Sequence, residues 1–260
     1  MPTKETEEMA RTPDEYPEEY QQANSNYYYF GHHKCATHWI RHFLLGLSKR
    51  REMNYLVYRG NNRTNDFDSK REATFHLYVN SDPVTTQYMR QGSLGFHLIR
   101  DPRDVLISTY WSWRNTHPLI GLITADMRHE LKASGLEDGI RKVLYTCLFF
   151  TQVRNWKLGT NPNILDVRYE ELVDDEFQQF KRIVEFLQID VDRETLTAIV
   201  ENCSFSKLAK GRKRGEEDVD SHYRKGISGD WKNYFGTDSE MKEEIYSHIG
   251  DLIDNLGYER

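Results

Sequence analysis

Along the chain, short apolar runs bounded by glycine, proline or charge alternate with stretches whose apolar positions recur every three or four residues. Tyr27, Tyr28, Tyr29 and Phe30 form a β-prone run that stops at Gly31, and Ile40, Phe43, Leu44 and Leu47 then repeat at helical spacing. That succession predicts strand, loop and helix. Further β-prone runs lie from Tyr55 to Tyr58, Thr74 to Val79, Leu94 to Ile99 and Ile164 to Val167. Helical patterns follow from Val105, from Leu136 to Trp156, and from Phe177 to Leu187. Strands alternating with helices predict an α/β fold, with a mostly parallel central sheet flanked by helices in a single domain over 26–260. Residues 1–25, acidic and polar with two proline-containing segments, predict an N-terminal arm outside that domain.

Composition narrows the function classes. The 260 residues carry a formal net charge of −6 with the two signs mixed and no dominant basic block, which argues against nucleic-acid binding by surface charge. Cys35, Cys147 and Cys203 are odd in number and far apart, so they predict neither a disulfide framework nor a zinc site, and favour a reducing compartment. The N-terminal stretch lacks the apolar core of a signal peptide or membrane anchor. The expectation is a soluble, cytoplasmic protein with no membrane partner.

The loop GHHKCATHW, residues 31–39, has the ingredients of an anion cradle but not the spacing of a magnesium-nucleotide loop. A Walker A sequence needs Gly, four residues, Gly-Lys and Ser or Thr, because the lysine reaches the β/γ-phosphates and the hydroxyl holds Mg²⁺. Counted from Gly31, those last three places hold Ala36, Thr37 and His38, and the lysine has moved to Lys34. Small residues ahead of a helix N-terminus still favour an anion. A plain strand-to-helix turn is the competing explanation of this stretch taken alone.

Two other segments carry anion-binding chemistry. In GFHLIRDPRDVLISTYW, an apolar strand runs into Arg100, Asp101 caps the next helix, Pro102 suits its first position and Ser108 falls on the face of Asp104 or Val105. Arginine with a serine hydroxyl at the carboxyl edge of a sheet can clamp a phosphate, and an Arg–Asp surface network is the alternative. In HYRKGISGDWKNYF, the cations Arg224 and Lys225 precede Gly226, where the backbone can approach an anion, or the stretch is a solvated basic turn.

Together these segments resemble the cytosolic-type sulfotransferases, which move a sulfuryl group from 3′-phosphoadenosine 5′-phosphosulfate (PAPS) to an acceptor. RKGISGDWKNYF nearly matches the family's RKGxxGDWKNxF; LIRDPRDVLISTYW resembles its 3′-phosphate element; HKCATHW stands where PKSGTTW is usual; and YEEL at 169–172 resembles its YED-type segment. The matches occur in family order over residues 31 to 235.

The resemblance implies that Lys34, Cys35, Ala36, Thr37 and His38 surround the 5′-phosphosulfate, that Trp39, Tyr169 and Phe205 flank the adenine, and that Arg100, Ser108, Arg224, Lys225 and Gly226 hold the 3′-phosphate. It also implies a histidine base at the end of a strand, a place given to His76, with His97 and the loop residues His32 and His33 as rivals. Lys34 would stabilise the leaving phosphate oxygen, Ser108 would additionally interact with Lys34, and no metal would be needed. The products would be the sulfated acceptor and adenosine 3′,5′-bisphosphate. The acceptor would be a small molecule with a hydroxyl or amine; Tyr78, Tyr110, Trp111, Trp113, His117 and the segment from Leu119 to Met127 are candidates to line its pocket, with ordinary core packing as the alternative for the aromatics.

Where this chain departs from the family pattern, His38 replaces a threonine, Cys35 a serine, Ala36 a glycine and His33 a proline. The polar segment 207–222 is expected to be a mobile lid or a solvated loop, and FGTDSEMKEE lacks the TV core of the family's dimerisation element. A P-loop kinase is disfavoured by the missing magnesium hydroxyl. A non-catalytic nucleotide-binding or scaffold protein with a degenerate loop is the alternative.

Overall fold

A computed structural model describes residues 25–58, 66–121, 123–235 and 240–260. The expected arm, apart from Ser25, lies outside these residues, as do Leu122 and positions 236–239. In chain order the elements are β1 (Ser25–Phe30), α1 (Thr37–Arg50), β2 (Asn54–Tyr58), β3 (Ala73–Tyr78), β4 (Leu94–Ile99), α2 (Pro102–Trp111), α3 (Ala125–Ala133), α4 (Leu136–Thr146), α5 (Phe149–Arg154), β5 (Ile164–Arg168), α6 (Tyr169–Asp174), α7 (Glu176–Phe186), α8 (Arg193–Asn202), α9 (Phe205–Leu208) and α10 (Glu240–Asn255). They fall into two compact units. One contains the residues up to Ile99 with Leu158–Cys203, the other Arg100–Lys157 with Ser204–Arg260.

The first unit holds a five-stranded sheet in the order β2-β3-β1-β4-β5, parallel throughout. Parallel strands are buried on both faces, so the aromatic run of β1 serves two layers. Tyr28 stacks on His76 with ring centroids 4.8 Å apart, while on the other face Tyr29 lies 4.9 Å from Phe96. From β1 the chain visits β2 and β3 on one side and β4 and β5 on the other. The carboxyl end of β1 is therefore a switch point, where the flanking connections diverge and leave room above the sheet edge. The loop 31–36 leaves from there.

α1 buries Ile40, Phe43, Leu44 and Leu47, the positions its periodicity marks. Phe43 stacks on Phe180 of α7 at 4.0 Å, and Trp39 meets the same ring edge-on at 5.7 Å. Phe180 is fully buried between them.

The second unit is helical. As expected, Asp101 caps α2, its side chain accepting from Arg103 N at 2.9 Å, with Pro102 in the first turn. The helix expected from Leu136 to Trp156 is instead two, α4 and α5, interrupted at Cys147 and Leu148. Ile140, Val143 and Leu144 define a face that a continuous helix would carry on to 151 and 154, but Thr151 and Arg154 are not buried, whereas Phe149 and Val153 are. Extended backbone at Cys147 shifts the phase so that both apolar sets point inward. Arg103 is a buried hub, paired with Asp101 at 2.8 Å, donating to Tyr246 Oη and the Glu259 carbonyl at 2.7 Å each, and lying 3.9 Å over Trp231. None of the three cysteines is in a disulfide, and all are buried. Among the described residues no helix is long and apolar enough to cross a membrane.

Phe180→Ala removes the ring shared by Phe43 and Trp39 and should lower stability by about 3–5 kcal/mol. The shift in urea midpoint at unchanged m-value measures it.

Candidate functional site

The loop after β1 is fastened at each end. Gly31 N donates to the Tyr78 carbonyl at 2.9 Å, and the Gly31 carbonyl accepts from Ser81 N and Ser81 Oγ at 2.9 and 3.0 Å. A Cβ at Gly31 would stand 2.6 Å from the Tyr29 hydroxyl, so only glycine lets the chain turn over that ring. The His32 carbonyl accepts from Cys35 N at 3.2 Å and from Thr37 Oγ1 at 3.0 Å. Lys34 and Ala36 adopt left-handed backbone, φ 60° and 54°, a conformation that costs non-glycine residues energy and is kept where the surroundings enforce it. α1 follows with no acidic residue in its first turn. A left-handed turn ahead of an uncompensated helix N-terminus is a setting for an anion, with Lys34 half-buried beside it.

Beneath the loop lies a buried chain of polar groups. Asp166 Oδ1 accepts from His97 Nδ1 at 3.0 Å, and His97 Nε2 meets His32 Nε2 at 2.5 Å. Assigned from the carboxylate outward, His97 donates to Asp166 and accepts at Nε2, so His32 is the Nε2–H tautomer. Burial lowers the pKa of both rings, His32 further through its neighbour His97, while Asp166 partly offsets the shift at His97. His97 is thus a core imidazole, but one that reaches the loop.

His76 does not lie at a strand end. It is the fourth of six residues in β3, with Nδ1 2.7 Å from the Tyr58 hydroxyl and Nε2 2.8 Å from Asn26 Oδ1. Burial, assisted by Arg90, lowers its pKa to about 3. Both nitrogens are engaged in the interior of the strand rather than at its end, and burial disfavours the charged form of the ring.

The second unit brings two of the sequence segments into one cluster. Asp104, fully buried, accepts from Gly229 N at 2.8 Å and Trp231 N at 3.0 Å, and lies 3.6 Å from Arg100 Nη2. Arg100 also donates to the Ile227 carbonyl at 3.3 Å. Asp230 accepts from Lys225 Nζ at 2.7 Å, from Asn233 Nδ2 at 2.9 Å and from Arg224 Nη2. Burial alone would raise the Asp230 pKa, but these donors outweigh it and hold the carboxyl below its ordinary range. Ser108 is half-buried, one turn beyond Asp104 on α2.

Gly226, at φ +67°, lies so close to Phe205 that a Cβ would stand 2.3 Å from the ring. Phe205 is accordingly buried under the basic turn, with Arg214 5.1 Å above its ring. Segment 207–222 is tied down: Gly215 N donates to the Lys225 carbonyl at 2.8 Å and Asp218 N to the Arg224 carbonyl at 3.0 Å, and Arg212 donates to the Tyr223 carbonyl at 2.7 Å. A short π-helical turn, Ser112–Thr116, places Asn115 Nδ2 3.0 Å from the Val219 carbonyl.

Of the expected site residues, Lys34, Cys35, Ala36, Thr37, His38, Trp39, His76 and Tyr169 belong to the first unit, and Arg100, Ser108, Phe205, Arg224, Lys225 and Gly226 to the second. Cys35 and Tyr169 are buried, and His38 is exposed on the first turn of α1. The structural carboxylates Asp104, Asp166 and Asp230 were not expected as site residues, although Asp230 stands inside the GDW signature.

The chain matches the family model for the sulfotransferase domain over residues 37–257. It belongs to the sulfotransferase family. Human sulfotransferase 2A1 is 28% identical over 182 residues, covering 65% of this chain and 59% of that protein, and mouse sulfotransferase 2A6 is 29% identical over 148 residues, covering 54% and 50%. The chain thus spans half to three fifths of the length of these curated relatives. Among solved structures, mouse sulfotransferase SULT7A1 complexed with PAP superposes with a TM-score of 0.63 at 17% identity, over 92% of this chain and 88% of that one. Retinol dehydratase with androsterone and the inactive cofactor PAP gives 0.60 at 17% identity, over 92% and 83%. At such identity the likeness is one of fold, and it agrees with the parallel sheet described above.

Two outcomes follow for the sulfotransferase chain. Because the folded pKa of His76 lies below the unfolded value, its contribution to stability is fully present above about pH 6.5 and is lost as pH falls toward its folded value. His76→Phe should flatten the decline of Tm between pH 6.5 and 4.5, as pH-series melts would show. Gly226→Ala meets both positive φ and the Phe205 ring, and should cost about 2–4 kcal/mol by denaturant melts, more than Gly211→Ala, which strains φ alone in open space.

Proposed function

We propose that this chain transfers a sulfuryl group from PAPS to a hydroxyl or amine of a small-molecule acceptor. The observation that carries the proposal is the cluster in the second unit. Asp104 and Arg100 on one side, and the turn from Arg224 to Trp231 on the other, are the two segments that the family resemblance assigns to one 3′-phosphate, and they are hydrogen-bonded together. The family model spans residues of both units, which supports a single functional domain over 26–260.

In this proposal Arg100, Ser108, Arg224, Lys225 and the Gly226 backbone hold the 3′-phosphate, and guanidinium forks suit its oxygens. Lys34 and the backbone of Cys35 and Ala36 meet the 5′-phosphosulfate at the N-terminus of α1, with Thr37 and His38 on its first turn. Trp39, Tyr169 and Phe205 are the adenine-side aromatics. The bound donor supplies an activated sulfuryl group, so the residues of this chain position it and neutralise charge on the leaving phosphate oxygen, a role given to Lys34. Thr37 must exchange its bond to the His32 carbonyl to reach a phosphate. His76 is left out of proton transfer, since burial opposes its charged form and both ring nitrogens are engaged by Tyr58 and Asn26. Cytoplasmic location belongs to the same proposal.

One observation favours a second reading, nucleotide binding without transfer: the histidine expected to be the base is locked in the sheet. Calorimetry with adenosine 3′,5′-bisphosphate and adenosine 5′-phosphate tests what both readings share. Clear preference for the bisphosphate is expected, and Arg224→Ala should weaken it by about 10- to 100-fold. Equal affinity for the two nucleotides would overturn both. Transfer from PAPS to a panel of phenols, alcohols and amines separates them. Activity retained in folded His76→Asn would exclude that ring as base, whereas complete loss with donor binding intact would restore it.

A further inference from the structure

Resting on the sulfotransferase reading, we infer that Glu217 is an internal competitor for the donor: its carboxylate occupies Arg224 and must leave when a 3′-phosphate binds. In the second cluster the cations Arg100, Arg224 and Lys225 face the carboxylates Asp104, Asp230 and Glu217. Among these six side chains the charges match, so withdrawal of one carboxylate would free a cation for a doubly charged phosphate.

Two of the three are built in. Asp104 holds Gly229 N and Trp231 N, and its side chain is fully buried. The Asp230 side chain is 2% exposed and takes bonds from Arg224, Lys225 and Asn233. Glu217 differs from both. Its side chain is 36% exposed, and its Oε1 accepts from Arg224 Nη1, which also lies 3.3 Å from the Tyr234 hydroxyl. A carboxylate at the rim, on a nitrogen turned away from Asp230, marks where an incoming phosphate oxygen would pair.

The backbone around Glu217 permits the exchange. Gly215 N and Asp218 N hold the carbonyls of Lys225 and Arg224, and Arg212 secures the Tyr223 carbonyl and Ser221 Oγ. None of these contacts uses the Glu217 side chain. The carboxylate can swing into water by rotamer change while the segment stays in place, at the modest cost of a partly exposed ion pair.

Calorimetry on the full chain compares wild type with Glu217→Gln, and with Asp220→Asn as an equal charge change at an exposed position nearby. The expected result is a roughly three- to tenfold tighter affinity for adenosine 3′,5′-bisphosphate in Glu217→Gln. Affinity for adenosine 5′-phosphate should be unchanged, and Asp220→Asn should alter the bisphosphate by less than about twofold. Unchanged or weaker bisphosphate binding in Glu217→Gln would overturn the inference while leaving the sulfotransferase reading intact. Equal gains in both variants would reduce it to general electrostatics and also overturn it. A wild type that does not distinguish the two nucleotides would remove the reading and the inference together.

Discussion

The buried carboxylate of Asp104 is the constraint on which the second unit's cluster depends. An ionised group without solvent is costly unless donors surround it, and here two backbone N–H groups and a guanidinium do so. Burial still pushes its pKa up, against the opposing pull of Arg100 and the two amides. The donors come from segments more than a hundred residues apart in sequence, so satisfying one carboxylate ties the start of α2 to the turn from Gly229 to Trp231. That turn then carries Asp230, which orients Arg224 and Lys225. Arg100, Arg224 and Lys225 are thus held in place by two buried carboxylates, Asp104 and Asp230.

The first unit solves a related problem with backbone. Lys34 and Ala36 sit in left-handed conformations that would relax if the loop were free, and the loop is not free. Gly31 is bonded to Tyr78 and Ser81 on the β3 side, and His32 to His97, which is bonded in turn to Asp166, on the β4–β5 side. Neutral rings suit this place, because a charged imidazole there would have no solvent. Within the loop the small Cys35 is packed inward, and the helix N-terminus that follows has no acidic neighbour.

Much of this architecture was legible along the chain. All five strands were marked by β-prone runs, because parallel strands buried on both faces read as continuous apolar and aromatic segments. α1 and α7 were marked by periodicity, and the cap and first turn of α2 by Asp101 and Pro102. Other helices had signals that went unused. Asp192 caps α8 through Thr195 N at 2.8 Å, and the spacing of Ile245, Ile249 and Leu252 in α10 is helical. The break between α4 and α5 was harder to see, since a one-residue phase shift in an apolar stretch looks like continued periodicity.

For the site, sequence alone marked the candidate anion-binding residues: Lys34 in a small-residue loop, Arg100 after a strand, and Arg224 with Lys225 before Gly226. Each is local, since spacing, side-chain charge and a strand-to-helix transition suffice to propose it. Tertiary structure decided which polar groups remain available. His76 is locked by Tyr58 and Asn26, Phe205 is covered by the turn at Gly226, and Glu217 takes a place beside Arg224. Those outcomes depend on partners brought from other strands and turns, and a hydrogen bond or ion pair between distant segments leaves no periodic trace in the chain that forms it.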